Sequence, residues 1–249
     1  MSPELQKTDK EVALIRTAGS MLGRTLQVVS DAAKPGVTGI ELDKLARETI
    51  ESLGGKPAFL GFDNYPATIC LSVNDGVVHG LPTTDRLAPG DVVSLDIGVN
   101  YQGWNADAAT TIILEPAATE DIKMLLSANQ ALEAGICAVH AGAHLGDVQG
   151  AMQQVIDGSG YGNVRALTGH GIGQGLHEPP SIPNYGTLGT GMILLENMVI
   201  CLEPMITQGS GKIITDKDGW TIRSADHTRA AHVEHTILVT KTWAEILTK

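Results

Sequence analysis

The sequence contains little cysteine and no long apolar run, and both shortages exclude classes of protein. Cys70, Cys137 and Cys201 are the only cysteines, and they lie 67 and 64 positions apart. This spacing fits neither a disulfide framework nor a CxxC metal or redox motif. No segment approaches the roughly 18 consecutive apolar residues of a membrane span, and the polar start lacks the apolar core of a signal peptide. We therefore expect a reduced, cytoplasmic protein without a membrane partner.

Positive charge is scarce as well. The chain has 17 Lys and Arg against 28 Asp and Glu, a formal net charge of −11, and no run of basic residues. A nucleic-acid-binding surface needs a basic patch, so nucleic acid is not an expected partner. Hydrophobic residues make up 43% of the chain and charged residues 18%, which is a globular composition. Information about function must then lie in the positions of individual carboxylates and histidines.

Helix and strand signals follow each other twice along the chain. The pairs Thr8/Glu11 and Thr38/Glu41 have the spacing of helix capping boxes, and each precedes an amphipathic run. Strand-like runs bounded by Gly, Pro, Asn and Asp come next, and the same order then recurs. The sequence predicts helices at about 8–33, 38–54, 120–139 and 144–158, and strands at about 67–73, 91–99, 106–114, 198–206 and 231–240.

This recurrence indicates an internal duplication. Residues 36–56 written over 142–162 align their glycine breaks and apolar positions, and at nearly the same offset Asp96 in VVSLDIG falls opposite Glu203 in MVICLEP. The pattern predicts an α+β fold in which two helix–helix–sheet halves pack their sheets into one curved antiparallel layer with the helices outside. The predicted single domain spans 1–249, with internal halves at about 8–115 and 116–249.

Several acids stand in strand-like runs that otherwise look buried. Asp96, Glu203 and Glu234 have apolar neighbours, and Asp107 follows Asp96 across a predicted hairpin. Burying a carboxylate is costly unless it is paired or binds a cation. Each acid alone would more simply be an edge-strand residue in water, but four together with a histidine indicate a site for Mn, Fe, Co or Zn. Four carboxylates exceed the need of one ion, so two divalent ions about 3.5–4 Å apart are expected.

A glycine-rich segment, TGHGIGQGLHEPP, contains His170 and His177. Its glycines are too frequent for a helix interior. The segment lacks the second histidine of HExxH and the Lys-Ser/Thr of a phosphate loop, and the chain has no GxSxG elbow. The glycines instead allow a close backbone approach that presents both histidines to one cavity.

These segments, taken in order with SVNDGVVHGLP and with the EHT that contains Glu234, resemble the type I methionine aminopeptidases over about residues 8–248. The resemblance implies a pita-bread fold and removal of the initiator methionine from nascent chains and peptides when the next residue is small. It also implies a monomer. Transient ribosome contact stays open, because a surface of net charge −11 suits rRNA poorly unless a local basic patch exists.

The resemblance also assigns a role to each motif residue. It implies two divalent ions (Co, Mn, Fe, Zn or Ni) whose shared hydroxide attacks the scissile carbonyl. Glu203 would take the water's proton, His177 would stabilise the oxyanion, and His79 would orient the scissile amide. The implied metal ligands are Asp96, Asp107, His170, Glu203 and Glu234, with Asp107 and Glu234 bridging both ions. The implied substrate contacts are His79, His177, Phe59, Phe62, Tyr65, Cys70, Leu176 and Trp220.

Three departures from that family and three alternatives accompany this interpretation. His232 stands where an amide is commoner, Leu176 replaces a bulkier aromatic residue, and the loop 186–197 looks long. An X-Pro aminopeptidase or prolidase would share the five-ligand pattern, but these enzymes usually carry an extra N-terminal domain. A non-catalytic protein of the same fold would be expected to lack ligands. A type II methionine aminopeptidase would have a long helical insertion before Glu203.

Overall fold

Four helices begin and end close to their predicted positions. A computed structural model describes residues 5–249, and the helices are α1 Asp9–Ala32, α2 Gly39–Ser52, α3 Thr119–Ala138 and α4 Leu145–Ser159. Both predicted capping boxes form: the Thr8 and Thr38 hydroxyls accept from the backbone N–H of Glu11 and Glu41, whose carboxylates accept from the threonine N–H groups in return. No helix in this range is long and apolar enough to cross a membrane.

The strands within the described residues pair only in the antiparallel sense. The strands are β1 Lys56–Pro57, β2 Ile69–Val73, β3 Gly76–Val78, β4 Val92–Tyr101, β5 Trp104–Ile113, β6 Gly162–Asn163, β7 Thr168–Gly171, β8 Glu178–Pro183, β9 Val199–Leu202, β10 Met205–Thr207, β11 Ile213–Thr215, β12 Ile222–Ser224, β13 Ala230–His232, β14 His235–Val239 and β15 Ala244–Ile246. Strand β4 pairs with β5 on one side and with β1 and β2 on the other, and a five-stranded sheet has the order β15-β14-β9-β7-β8. Two smaller sheets have the orders β13-β10-β6 and β11-β12-β3.

The internal duplication is visible in the backbone as well as in the order of elements. Gly36 and Gly142, which the sequence alignment superimposes, have φ angles of 93° and 94°. The N–H of Gly36 donates to the Leu87 carbonyl at 2.7 Å, and the N–H of Gly142 donates to the Leu194 carbonyl at 2.9 Å. Positive φ is costly for any residue with a Cβ, so glycine is needed at both equivalent turns.

Each half has its own apolar core between its helices and its sheet. Leu22 and Ile50, from α1 and α2, pack with Leu95 of β4 in the first core. Met152 of α4 packs with Ile200 of β9 in the second. Burying side chains of this size contributes about 1.5–3 kcal/mol each to the stability of the fold. Because these contacts join helices to strands, the helices cover one face of the sheets and leave the opposite face for other contacts.

The two halves meet at a seam between β5 of the first half and β13 and β14 of the second. The Thr236 hydroxyl accepts from the N–H of Asp107 at 2.9 Å and donates to its carbonyl at 2.7 Å. Symmetrically, the Thr111 hydroxyl accepts from the N–H of His232 at 3.0 Å and donates to its carbonyl at 2.7 Å. At these two positions a threonine side chain from each half thus takes the place of backbone-to-backbone hydrogen bonds between the strands.

Candidate metal centre and substrate pocket

Strand alternation places the acids of the first half on the sheet face opposite the helices. Leu95 and Ile97 lie in the first core, so Asp96 between them points to the other face. The alanines on either side of Asp107 lie in the same core, with the same consequence for that carboxylate. The apolar neighbours of each acid pack into the core, so strand alternation turns the carboxylate between them toward the opposite face of the sheet.

The acids of the second half lie at breaks between strands. The predicted strand at 198–206 is interrupted at Glu203, between β9 and β10, because Pro204 has no N–H to continue a ladder. The predicted strand at 231–240 is interrupted at Glu234, between β13 and β14. There the N–H of Glu234 donates across the seam to the Ala109 carbonyl at 2.9 Å. Both breaks bring a glutamate toward the seam.

The predicted ligands meet in one cluster with spacings suited to divalent ions. Nε2 of His170 lies 3.6 Å from Oε1 of Glu203 and 4.0 Å from Oδ2 of Asp107. Asp96, Asp107 and Glu234 each offer an oxygen within 4.8 Å of the others'. Ligand atoms bound at about 2.0–2.2 Å to one tetrahedral ion lie about 3.4 Å apart, so small movements would complete such a site.

Burial and mutual repulsion make this cluster unfavourable without a cation. Burial, the largest cause, raises the pKa of Asp96 to about 6 and the pKa of Asp107, Glu203 and Glu234 well above the usual range, and neighbouring carboxylates raise the latter three further. Oδ1 of Asp96, Oδ1 of Asp107 and Oε1 of Glu234 have no hydrogen-bond partner among the described residues. Buried, unpartnered carboxylate oxygens are the donors that divalent metal ions take, so the residues fit the expected ions.

The tautomer of His170 leaves Nε2 available as a ligand atom. Its Nδ1 lies 2.9 Å from the Gly171 carbonyl, which can only accept, so Nδ1 carries the proton and Nε2 keeps its lone pair. Burial, followed by the charge of His177, lowers the pKa of His170 to about 4. The ring is therefore neutral at physiological pH.

The other two predicted histidines border the cluster from different elements. The ring of His177 lies edge-to-face 4.5 Å from His170 and 5.2 Å from Phe62, and burial lowers its pKa. His79 follows β3 with a φ of 57°, a left-handed conformation that costs a non-glycine residue about 1–3 kcal/mol. Burial, with His232 and His177 nearby, lowers the pKa of His79 to about 4. Both rings are neutral donors or acceptors at pH 7.

Hydrogen bonds from distant residues fix the glycine-rich segment. The Asn105 side chain donates to the carbonyls of Gly173 and Gln174 at 3.1 and 2.8 Å. A Cβ at Gly171 would clash with the carbonyl oxygen of Pro179, so β7 accepts only glycine at its last position. The glycines thus allow the close approach that the sequence predicted.

An apolar pocket opens beside the carboxylate cluster, and the two share one cavity of about 390 Å³. Gly98 makes room for the pocket wall, since a Cβ there would lie 2.6 Å from Cε1 of Phe59. The single proton of the Tyr65 hydroxyl is shared between the Ile69 and Gly80 carbonyls, at 3.0 and 2.9 Å, and the Tyr65 ring lies edge-on to Trp220 at 5.1 Å. All predicted site residues line this cavity: Phe59, Phe62, Tyr65, Cys70, His79, Asp96, Asp107, His170, Leu176, His177, Glu203, Trp220 and Glu234.

Further side chains line the cavity that the sequence did not assign to it. Asp63 stands at its mouth in a left-handed conformation (φ 48°), and its charge opposes the lowering of the His177 pKa. Met205 follows the Glu203-Pro204 break, and residues 166–168 lead into the glycine-rich segment, which begins at Thr168. Their closeness in sequence to predicted site residues was the available signal. His232, noted only as a departure, also lines the cavity.

Comparison with known proteins gives the family. The model of metallopeptidase family M24 matches residues 13–241. The chain belongs to that family. This M24 peptidase is 40% identical to a methionine aminopeptidase of Mycoplasma capricolum over 244 residues, which cover 98% of this chain and 97% of the relative. The enzyme class, a metal-dependent aminopeptidase, is confirmed.

Solved structures confirm the fold of this M24 peptidase. It matches the methionine aminopeptidase of Thermotoga maritima with a TM-score of 0.96 and 40% identity, covering 98% of both chains. It matches a prolidase from Pyrococcus furiosus with a TM-score of 0.81 and 23% identity, covering 98% of this chain and 65% of that chain. The prolidase match shows the fold alone. The predicted α+β pita-bread fold is therefore confirmed.

Proposed function

We propose that this M24 peptidase removes the N-terminal methionine from peptides and nascent chains whose second residue is small, and that it uses two divalent metal ions. The proposal is supported chiefly by one arrangement: a cluster of four buried carboxylates and an imidazole shares a cavity with an apolar pocket. The names of its relatives support the substrate class. The preference for a small second residue is supported by the resemblance of its motifs.

The charge of the cluster suits two dications. The proposed ligands are Asp96, Asp107, His170, Glu203 and Glu234, and two dications would offset four carboxylate charges. When bound, the ions would lower the pKa of a coordinated water, so that hydroxide is available near neutral pH. Co, Mn, Fe, Zn and Ni all accept carboxylate and imidazole ligands of this kind.

The remaining roles belong to side chains around the cluster. Glu203 is proposed to take the proton of the attacking water, because its carboxylate, as a metal ligand, would lie beside that water. His177, whose ring lies beside His170, would donate a hydrogen bond to the developing oxyanion. His79 would orient the scissile amide, and Asp96 would receive the substrate's ammonium, which requires a free N-terminus.

The apolar part of the cavity would take the methionine side chain. Phe59, Tyr65, Cys70 and Leu176 are all buried and line it. A soft, unbranched thioether makes favourable contacts with aromatic rings and with sulfur. We therefore expect methionine to be preferred over branched or charged N-terminal residues.

Peptide hydrolysis by chelated and re-metallated enzyme tests the proposal. Co, Mn or Fe added to EDTA-treated enzyme should restore cleavage of Met-Gly-Met, and activity that is indifferent to chelation would contradict a metal mechanism. Met-Ala peptides should be cleaved faster than Met-Leu peptides. Cleavage of Ala-Pro in preference to Met-Ala would instead identify an X-Pro aminopeptidase. The monomeric state, cytoplasmic location, ribosome contact and the exact bounds of the two halves, about 8–115 and 116–249, stay predictions.

A further inference from the structure

His232 is a buried imidazole that nothing in the proposed mechanism uses. Only 2% of it is exposed, and neither ring nitrogen has a hydrogen-bond partner among the described residues. Leaving a buried donor or acceptor unpaired destabilises a fold. Two unpaired nitrogens beside the carboxylate cluster indicate that the ring gains a partner in the working protein.

The backbone aims this ring at the metal cluster. His232 ends β13, where it pairs with Met205 of β10, so it faces the segment that contains Glu203. Glu234 is two residues further on, and both line the same cavity. The Thr111 hydroxyl accepts from the N–H of His232 at 3.0 Å and donates to its carbonyl at 2.7 Å. These two hydrogen bonds fix the main chain at His232.

Distances from the ring to the carboxylates match those of a proposed ligand. Nε2 of His232 lies 3.5 Å from Oε2 of Glu203 and 3.8 Å from Oε2 of Glu234. For comparison, Nε2 of His170 lies 3.6 Å from Oε1 of Glu203 and 4.0 Å from Oδ2 of Asp107. Both sets exceed the 2.7–3.2 Å of an N–H···O hydrogen bond. They are close to the separation of about 3.4 Å between two ligand atoms on one tetrahedral ion.

We propose that Nε2 of His232 is a sixth protein ligand of the metal centre, on the ion held by Glu203 and Glu234. This inference rests on the proposed dinuclear site. The six ligands then divide so that each ion has one imidazole: His170 stands between Asp107 and Glu203, and His232 stands between Glu203 and Glu234.

An added imidazole changes which metal ions the site prefers. Imidazole suits Zn, Co and Ni better than Mn, for which oxygen ligands suffice. The Nδ1 of His232 has no acceptor among the described residues, whereas that of His170 has the Gly171 carbonyl. Losing such an outer partner typically costs a ligand 10–100-fold in metal affinity. Because His232 lacks one among those residues, we expect it to hold its ion less tightly than His170 does, and to tighten that ion by only about 10-fold.

Cobalt binding to the full chain tests this assignment without relying on activity. In the proton NMR spectrum of protein loaded with two Co²⁺ ions, each ligating imidazole gives one hyperfine-shifted, exchangeable N–H signal. We expect two such signals from the wild type and one from His232→Gln. By calorimetry, His232→Gln should weaken one Co²⁺ binding event about 10-fold and leave the other unchanged, and should weaken Mn²⁺ binding less.

His235→Gln is the matched control, because this histidine is close in sequence but bonds to Thr248 through Nδ1 at 2.8 Å. It should keep both signals and both affinities. Two bound Co²⁺ ions with a single imidazole signal in the wild type would overturn the assignment and leave the dinuclear site intact. Failure to bind a second ion at any Co²⁺ concentration would instead contradict the proposed function. Because the wild-type count is itself decisive, the test does not depend on the variant folding.

Discussion

Removing metal ions from the proposed centre should make the stability of the protein fall as the pH rises above 7. In the metal-free protein, burial raises the pKa of Asp107, Glu203 and Glu234 well above their usual range, and neighbouring carboxylates raise it further. The folded chain then retains protons that the unfolded chain has lost. A carboxyl whose pKa is raised by folding stabilises the fold below its unfolded pKa, and this contribution disappears as the pH passes through the raised value.

The size of the effect depends on how many protons the folded site retains. Each one changes the free energy of unfolding by about 1.4 kcal/mol per pH unit, so one gives a slope of about −1.4 and three give about −4 kcal/mol per pH unit. Asp96 adds little above pH 7, because its pKa is about 6. The buried histidines His79, His170 and His235, with pKa values of about 4, are neutral in the folded state. In the unfolded chain roughly a quarter of each is still charged at pH 7, so each opposes the slope by only about 0.1 kcal/mol between pH 7 and pH 8.

Urea unfolding of EDTA-treated protein at pH 7 and pH 8, followed by circular dichroism, measures this slope. Stopping at pH 8 limits any contribution from the Cys70 and Cys201 thiols, whose pKa burial raises. Glu203→Gln should reduce the slope by about 1.4 kcal/mol per pH unit, whereas exposed Glu133→Gln should leave it unchanged. Metal-loaded protein should give a flat profile. A metal-free stability that is constant or rises from pH 7 to pH 8 would refute the reasoning.

Three further predictions concern single side chains. His177→Ala should lower kcat about 10²–10³-fold with metal content by mass spectrometry unchanged, because an oxyanion donor is lost; loss of metal would make it a ligand instead. Gly98→Ala should raise KM for methionyl peptides, because the new Cβ would lie 2.6 Å from Cε1 of Phe59 and displace the ring; an unchanged KM would contradict this. Thr236→Val should lower the unfolding free energy in urea by about 1–3 kcal/mol, because it leaves the N–H and carbonyl of Asp107 unpaired. Thr236→Ser should not, and equal losses would point to packing.

The metal cluster was predictable because its residues violate the local pattern. Asp96 stands between two residues of the core, and Asp107 stands between two buried alanines, so strand alternation alone orients both. The duplication was also readable, since Gly36 and Gly142 occupy equivalent left-handed turns. The sequence is sufficient to predict a feature when that feature depends on the geometry of a single strand or turn.

Features that depend on contacts between distant elements were not predictable. The break at Glu234 depends on its N–H pairing with Ala109 across the seam, which no pattern in β13 or β14 encodes. The distances from His232 to two carboxylates depend on how β13 pairs with β10. The grouping of the strands of residues 5–249 into four sheets follows from the same long-range pairing.

Because the proposed metal ions lie between the two halves, the halves can be compared with the subunits of a heterodimer that binds a ligand at its interface. Asp96 and Asp107 come from one half, and His170, Glu203 and Glu234 come from the other, so neither half holds a complete proposed set. An ion bound by both halves would be linked to their association by mass action, as an effector is linked to the assembly it bridges. Metal binding would then strengthen the contact between the two halves. Without the ions, that contact would depend more on the hydrogen bonds of the Thr111 and Thr236 hydroxyls across the seam.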